Sequence, residues 1–200
     1  TITTTTTAAL EVGALVYARG VVENYFRHYV LANGMLHHHG EELPQSCRML
    51  TVLALFYRYS CAEASGAASS ENAFMLTVFP KAKAVADWLI YRRSLSLNFS
   101  SSDARYGIPL GDAESDNFKN TMDHSLEPLH FLSSAAEMYR GFTELGSVWQ
   151  AVGKATGRDD VSKHGATLLA MTSLLFHDLH ASLNATVKTT TDPNAPRHWA

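Results

Sequence analysis

Residues 130–154, HFLSSAAEMYRGFTELGSVWQAVGK, decide the fold class. Phe131, Leu132, Ala135, Tyr139, Phe142, Leu145, Trp149 and Val152 recur at the three- and four-residue steps that place side chains on one helix face. The stripe predicts a helix over about Pro128–Thr156, ended by Gly157, which takes a left-handed conformation without a Cβ penalty. Asp159 or Asp160 then caps a further helix reaching about Val187. Upstream, Ser96 to Leu126 is rich in Gly, Pro, Ser, Asp and Asn and has no helical period. A loop of that length is unusual in a compact domain and is often functional.

Before the loop, Glu71 to Leu95 reads as a helix with a bend at Pro80 and with Ala82, Val85, Ala86, Leu89 and Ile90 facing inward. Pro44 opens another helix that is apolar nearly all round, through Met49, Leu50, Val52, Leu53, Leu55, Phe56, Tyr57 and Tyr59, and a helix without a polar face is buried on all sides. The first helix is expected from about Ala8 to Ala32, closed by Asn33-Gly34. Thr1–Thr7 is expected to be a disordered leader and Lys188–Ala200 an irregular tail, flanking one domain over 8–187. The expected fold is therefore all-α, with about five long helices stacked as antiparallel hairpins. A four-helix bundle is the competing arrangement. The all-apolar helix and the long loop between helices favour the stack.

Composition narrows the function classes. A 46% hydrophobic content in 200 residues supplies a core for one domain. Sixteen Lys and Arg against 19 Asp and Glu give a net charge of −3, so no basic field exists for wrapping nucleic acid. No apolar run reaches the roughly 18 residues of a membrane span. The chain opens on Thr1 rather than Met and ends on Arg197-His198-Trp199-Ala200, so it reads as a piece of a longer protein. Cys47 and Cys61 fall in or beside one helix, about 21 Å apart along its axis, too far for a disulfide. Asn98-Phe99-Ser100 and Asn184-Ala185-Thr186 match the glycosylation acceptor pattern, usable only on a secretory route.

The densest chemistry lies in Arg105-Tyr106-Gly107-Ile108-Pro109-Leu110-Gly111-Asp112-Ala113-Glu114-Ser115-Asp116-Asn117. Asp112, Glu114 and Asp116 crowd a loop stiffened by Pro109 and turned at Gly107 and Gly111. Carboxyl groups beside an aromatic ring and a guanidinium are what glycosidic bond cleavage uses: one acid protonates the leaving oxygen while a carboxylate activates water or attacks. On spacing alone, a solvated acidic turn is the simpler reading. The histidines give weaker groupings. His37, His38 and His39 beside Glu41 and Glu42 cannot all face one ion, His177 and His180 lack a third zinc ligand, and His124, Glu127 and His130 lack the second Glu-x-x-His of a di-iron bundle. No metal or cofactor is expected, since P-loop, dinucleotide and Gly-x-Ser-x-Gly patterns are missing from the sequence. Glu137 and Arg140 read as a surface pair one turn apart.

The order of these features resembles the six-hairpin glycosidase superfamily, the (α/α)6 toroid. The likeness runs through Asn24-Tyr25-Phe26, the Leu50–Tyr59 helix, FPKAKAVADWLIYRR at 79–93, YGIPLGDAESDNF at 106–118 and the helix quoted first. The resemblance implies a partial toroid acting on a poly- or oligosaccharide, most often by hydrolysis. It implies Asp112, Glu114 and Asp116 as the acid–base carboxyls, with Arg105, Tyr106 and His130 as sugar contacts. Five helices are fewer than the twelve of a full toroid, so the second catalytic carboxyl is expected to lie outside these 200 residues. The alternative function is a non-catalytic helical-repeat scaffold.

Overall fold

The computed structural model describes residues 2–37, 42–63, 68–112 and 129–191. Within them the protein is an all-α fold of six packed helices: α1 (Ile2–Glu11), α2 (Leu15–Asn24), α3 (Leu43–Glu63), α4 (Ala68–Ser94), α5 (Leu132–Thr156) and α6 (Asp159–Thr191). Tyr25–Tyr29 forms a π-helical turn and Leu95–Asn98 a 3-10 turn. The only strands among the described residues are β1 (Leu110–Gly111) and β2 (Leu129–His130), paired antiparallel with Leu110 opposite His130.

Helix α5 is the centre of the packing. Its buried positions include Ala135, Phe142, Leu145, Trp149 and Val152 of the stripe expected from sequence, and Met138 as well, whereas Phe131, Leu132 and Tyr139 are half-buried. A second set, Gly141, Gly146 and Gly153, is buried as well and faces neighbouring backbones. A Cβ on Gly141 would lie 2.7 Å from the Cys47 carbonyl oxygen of α3. A Cβ on Gly165 of α6 would lie 2.6 Å from the Gly146 carbonyl oxygen of α5, and one on Gly153 2.5 Å from the Ser162 nitrogen of α6. Helices with ordinary side chains at their contact stand about 8–10 Å apart. Here neither contact has room for a methyl group, so α5 is clamped between α3 and α6. Gly157, at φ 69°, ends α5 in the left-handed conformation, and Asp159 and Asp160 occupy the first turn of α6, making the two an antiparallel hairpin.

Several local expectations change. The threonine-rich start is helix α1, not a disordered leader, because Thr3 and Thr6 are buried and Leu10 enters the core. The first long helix is two helices, broken where Gly13 takes φ 75°. It closes through the π turn rather than at Asn33-Gly34; Gly34 instead lets the following turn pack on α4, with a would-be Cβ 2.0 Å from Ala84 O. Helix α4 runs through Pro80. Trp149 is a core residue as expected, and Trp88 is buried too, whereas Tyr59 faces solvent. Glu137 does not pair with Arg140 but accepts a hydrogen bond from Arg48 Nε of α3 at 3.0 Å. The tail begins later than expected, since α6 continues through Thr191.

His164 of α6 is buried among aromatic rings, with the Phe79 centroid 5.7 Å away and Phe79 in turn 5.1 Å from Trp149. Burial holds its pKa below the ordinary 6.5, with Asp87 pulling it up and Lys83 pushing it down.

Two predictions follow from the packing. Gly165→Ala and Gly141→Ala each destabilise by about 1–3 kcal/mol through overpacking, while Gly20→Ala, whose Cβ meets nothing within 4 Å, stabilises by about 0.5–1 kcal/mol; urea denaturation separates the two classes. Because His164 binds its proton less readily folded than unfolded, its contribution is complete above pH 6.5 and is lost as pH falls below it. The urea midpoint of the wild type should therefore drop between about pH 7.5 and about pH 5.5, and His164→Phe should flatten that slope; equal slopes would contradict the assignment.

Candidate functional site

The irregular segment after α4 is pinned to the helices by polar side chains. Arg93, near the end of α4, donates from Nε to Asp178 Oδ2 of α6 at 3.0 Å and also from Nη2 to the same oxygen, and both side chains are buried. Gly107 lies directly over this pair: its φ is 71°, and a Cβ there would fall 2.1 Å from Asp178 Oδ2. Neighbouring Arg92 donates from Nε to Leu110 O at 2.5 Å, and Ser182 Oγ of α6 donates to Ala104 O at 2.5 Å. His130 Nδ1 lies 2.8 Å from Ile108 O, which is consistent with a protonated Nδ1 donating to that carbonyl. Ile108 itself is buried. A solvated acidic turn has no such anchorage, so residues 104–112 form a built platform.

On its outer side Phe99 organises the exposed groups. The Arg105 guanidinium lies 4.0 Å from the Phe99 ring centre, and the His130 ring meets Phe99 edge-on at 5.4 Å. Arg105 also grips Asp103, with Nε to Oδ1 at 3.0 Å and Nη2 to Oδ2 at 2.7 Å. Those hydrogen bonds hold the Asp103 carboxyl down at about 2. Tyr106 is half-buried, and its amide donates to Asp103 O at 3.0 Å.

The platform ends at Asp112, which meets a distant segment. Asp112 and Glu42 form an isolated parallel β-bridge, and the Leu43 amide donates to Asp112 O at 3.3 Å. Glu42 is 6% exposed and Asp112 half-buried. Tyr25, on the π turn, is buried near enough to Glu42 to feel its charge. Its hydroxyl is buried without a hydrogen-bond partner among the described residues, and burial, then the charges of Glu42 and Cys47, push its pKa well up. π-helical turns are rare and occur often at functional sites.

Of the residues singled out from sequence, the structure brings Arg105 and His130 onto one ring and sets Asp112 two residues beyond Leu110, the partner of His130. Glu114 and Asp116 lie outside the described residues, as do His38, His39, Glu41, His124 and Glu127. His177 is exposed, with Nδ1 3.8 Å from Asp178 Oδ1, and His180 packs on Phe176 with ring centres 4.4 Å apart. Among the described residues no three His, Cys, Asp or Glu side chains gather as a metal site. Cys47 and Cys61 are both free thiols. Sequence reasoning missed Glu42, Tyr25, Arg93 and Asp178. Glu42 sat beside the histidine run, and nothing in its neighbourhood marks a contact with Asp112.

Removing one member of the buried ion pair leaves an unpaired charge in the interior, so Asp178→Ala should cost about 3–5 kcal/mol. The Arg93→Met, Asp178→Leu double variant should recover much of that loss, as read from urea denaturation; a single-variant loss below about 1 kcal/mol would contradict a pinning role.

No family model, curated protein sequence or solved structure matches the chain.

Proposed function

We propose that this is a carbohydrate-active helical domain, glycoside hydrolase-like, that acts on a poly- or oligosaccharide by carboxylate acid–base chemistry within a partial (α/α) toroid. The observation that carries the reading is the backbone bridge between Glu42 and Asp112 at the end of an anchored loop. Cleaving a glycosidic bond takes two carboxyl groups: one donates a proton to the leaving oxygen, and the other activates water or attacks the anomeric carbon. Two carboxyls serve those opposite roles when their surroundings differ, and one of these residues is buried while the other is half-exposed. His130, on β2, and the Phe99–Arg105 stack it touches are the candidate sugar contacts. Glu114 and Asp116 follow Asp112 directly and stay candidate acid–base groups by sequence.

A second reading, a non-catalytic scaffold, draws on the apolar side chains left open near the α1–α2 junction, where Val12 is 80% and Val16 89% exposed.

An oligosaccharide panel discriminates the readings. The carbohydrate reading expects turnover of at least one member, reduced about 100-fold or more by Glu42→Gln and by Asp112→Asn. Retained turnover in a Glu114→Gln, Asp116→Asn double variant would assign the chemistry to the bridged pair; loss there alone would move it to the loop. No turnover of any oligosaccharide by the wild type would contradict the enzyme reading and favour the scaffold.

A further inference from the structure

A groove of about 410 Å³ opens between α1, α3 and α5, away from the Glu42–Asp112 bridge. That volume lies within the roughly 300–1,000 Å³ of small-molecule sites. Its walls carry the interhelix pair of Arg48 and Glu137, joined Nε to Oε1 at 3.0 Å, with exposed Arg140 one turn further along α5. The other oxygen of Glu137, Oε2, is buried and has no hydrogen-bond partner among the described residues. That oxygen has no exposed surface, so Glu137 meets the groove only through the exposed remainder of its side chain, which is 23% exposed. Two threonine hydroxyls on the wall have given their protons to backbone carbonyls: Thr7 Oγ1 donates to Thr3 O at 2.9 Å and Thr51 Oγ1 to Cys47 O at 3.5 Å. Each therefore offers the groove acceptor lone pairs only. Val52 and Leu55 supply an apolar side.

Charge decides the ligand class. Arg48 and Arg140 face Glu137 and Glu11 within one groove. A simple anion would meet two carboxylates and a simple cation two guanidiniums. A neutral ligand bearing several hydroxyls meets neither penalty: its protons go to Glu137 and the threonines, its oxygens accept from arginine, and its C–H face lies on Val52 and Leu55. From this geometry we infer that the α1–α3–α5 groove is a binding site for a neutral polyhydroxylated ligand of sugar size, separate from the bridged carboxyl pair. The choice of sugars as probes rests on the carbohydrate reading; the site itself does not.

The test is titration of the isotope-labelled full chain with glucose, galactose, mannose and maltose, with glycine and sodium phosphate as dipolar and anionic comparisons, followed by amide shifts in nuclear magnetic resonance. The expected result is saturable shifts at Thr51, Glu137 and Arg140 with at least one sugar, weakened about tenfold or more in Glu137→Gln and in Arg140→Ala. Arg140 is exposed, so its variant carries the test even if Glu137→Gln perturbs helix packing. Glu42→Gln and Asp112→Asn should leave this binding unchanged. Sugar binding at the groove with no turnover of any member of the oligosaccharide panel would keep the inference and overturn the proposed catalysis; turnover of that panel with no shift at the groove would do the reverse. Saturation by glycine or phosphate alone, no saturation by any sugar, or binding indifferent to both groove variants would overturn the inference.

Discussion

The buried ion pair between Arg93 and Asp178 is the constraint on which the functional face depends. Arg93 lies at the end of α4 and Asp178 deep in α6, and the two are joined beneath Gly107, where the loop crosses. A buried pair of this kind roughly breaks even against well-packed apolar side chains. What it contributes is position. Arg93 and Asp178 meet only when α4 and α6 are in register, and Gly107 fits over Asp178 only in a left-handed backbone without a Cβ. From that point the loop has little freedom: Arg92 holds Leu110, His130 meets Ile108, and Asp112 arrives beside Glu42.

The register of α6 is itself fixed by α5. Glycines at 146, 153 and 165 bring the two helices to backbone contact, and Gly141 does the same between α5 and α3. A glycine inside a helix costs about 0.5–1 kcal/mol relative to alanine. Here that cost is offset by contacts that alanine would block. Trp149, Phe142 and Leu145 fill the remaining space, each fully buried. One helix thus carries both the core and the geometry: it starts just past His130, presents Glu137 to Arg48, and sets where Asp178 can stand.

The large elements were legible because their signal is local. The α5 stripe, Gly157 and the acidic start of α6 read directly, as did the irregular stretch at 99–109 after α4. The errors have a common physical origin. Thr3 and Thr6 look like a polar leader, yet they pack where α1 lies on α3. Glu137 and Arg140 look like a one-turn pair, yet Arg48 from α3 claims the carboxylate. Arg93 and Asp178 look like two ordinary surface charges. Glu42 and Asp112 belong to segments whose pairing no local period encodes, and an isolated bridge leaves no strand signature in either one. In each case the deciding partner is distant in sequence. Arg105, Tyr106 and Asp112 were found because they share one short stretch of chain, and His130 because it stands just before the next helix.

The central claim is that residues 104–112 form an anchored platform rather than a solvated turn, and native-state amide hydrogen exchange tests it most directly. The amides of Leu43, Tyr106 and Ile108 donate to Asp112, Asp103 and Arg105 carbonyls respectively. The account expects these three amides to exchange only through an opening that also exposes the core amides of α5 and α6, and to lose protection selectively in Asp178→Asn. Exchange at near-unfolded rates in the wild type, while α5 and α6 stay protected, would contradict it.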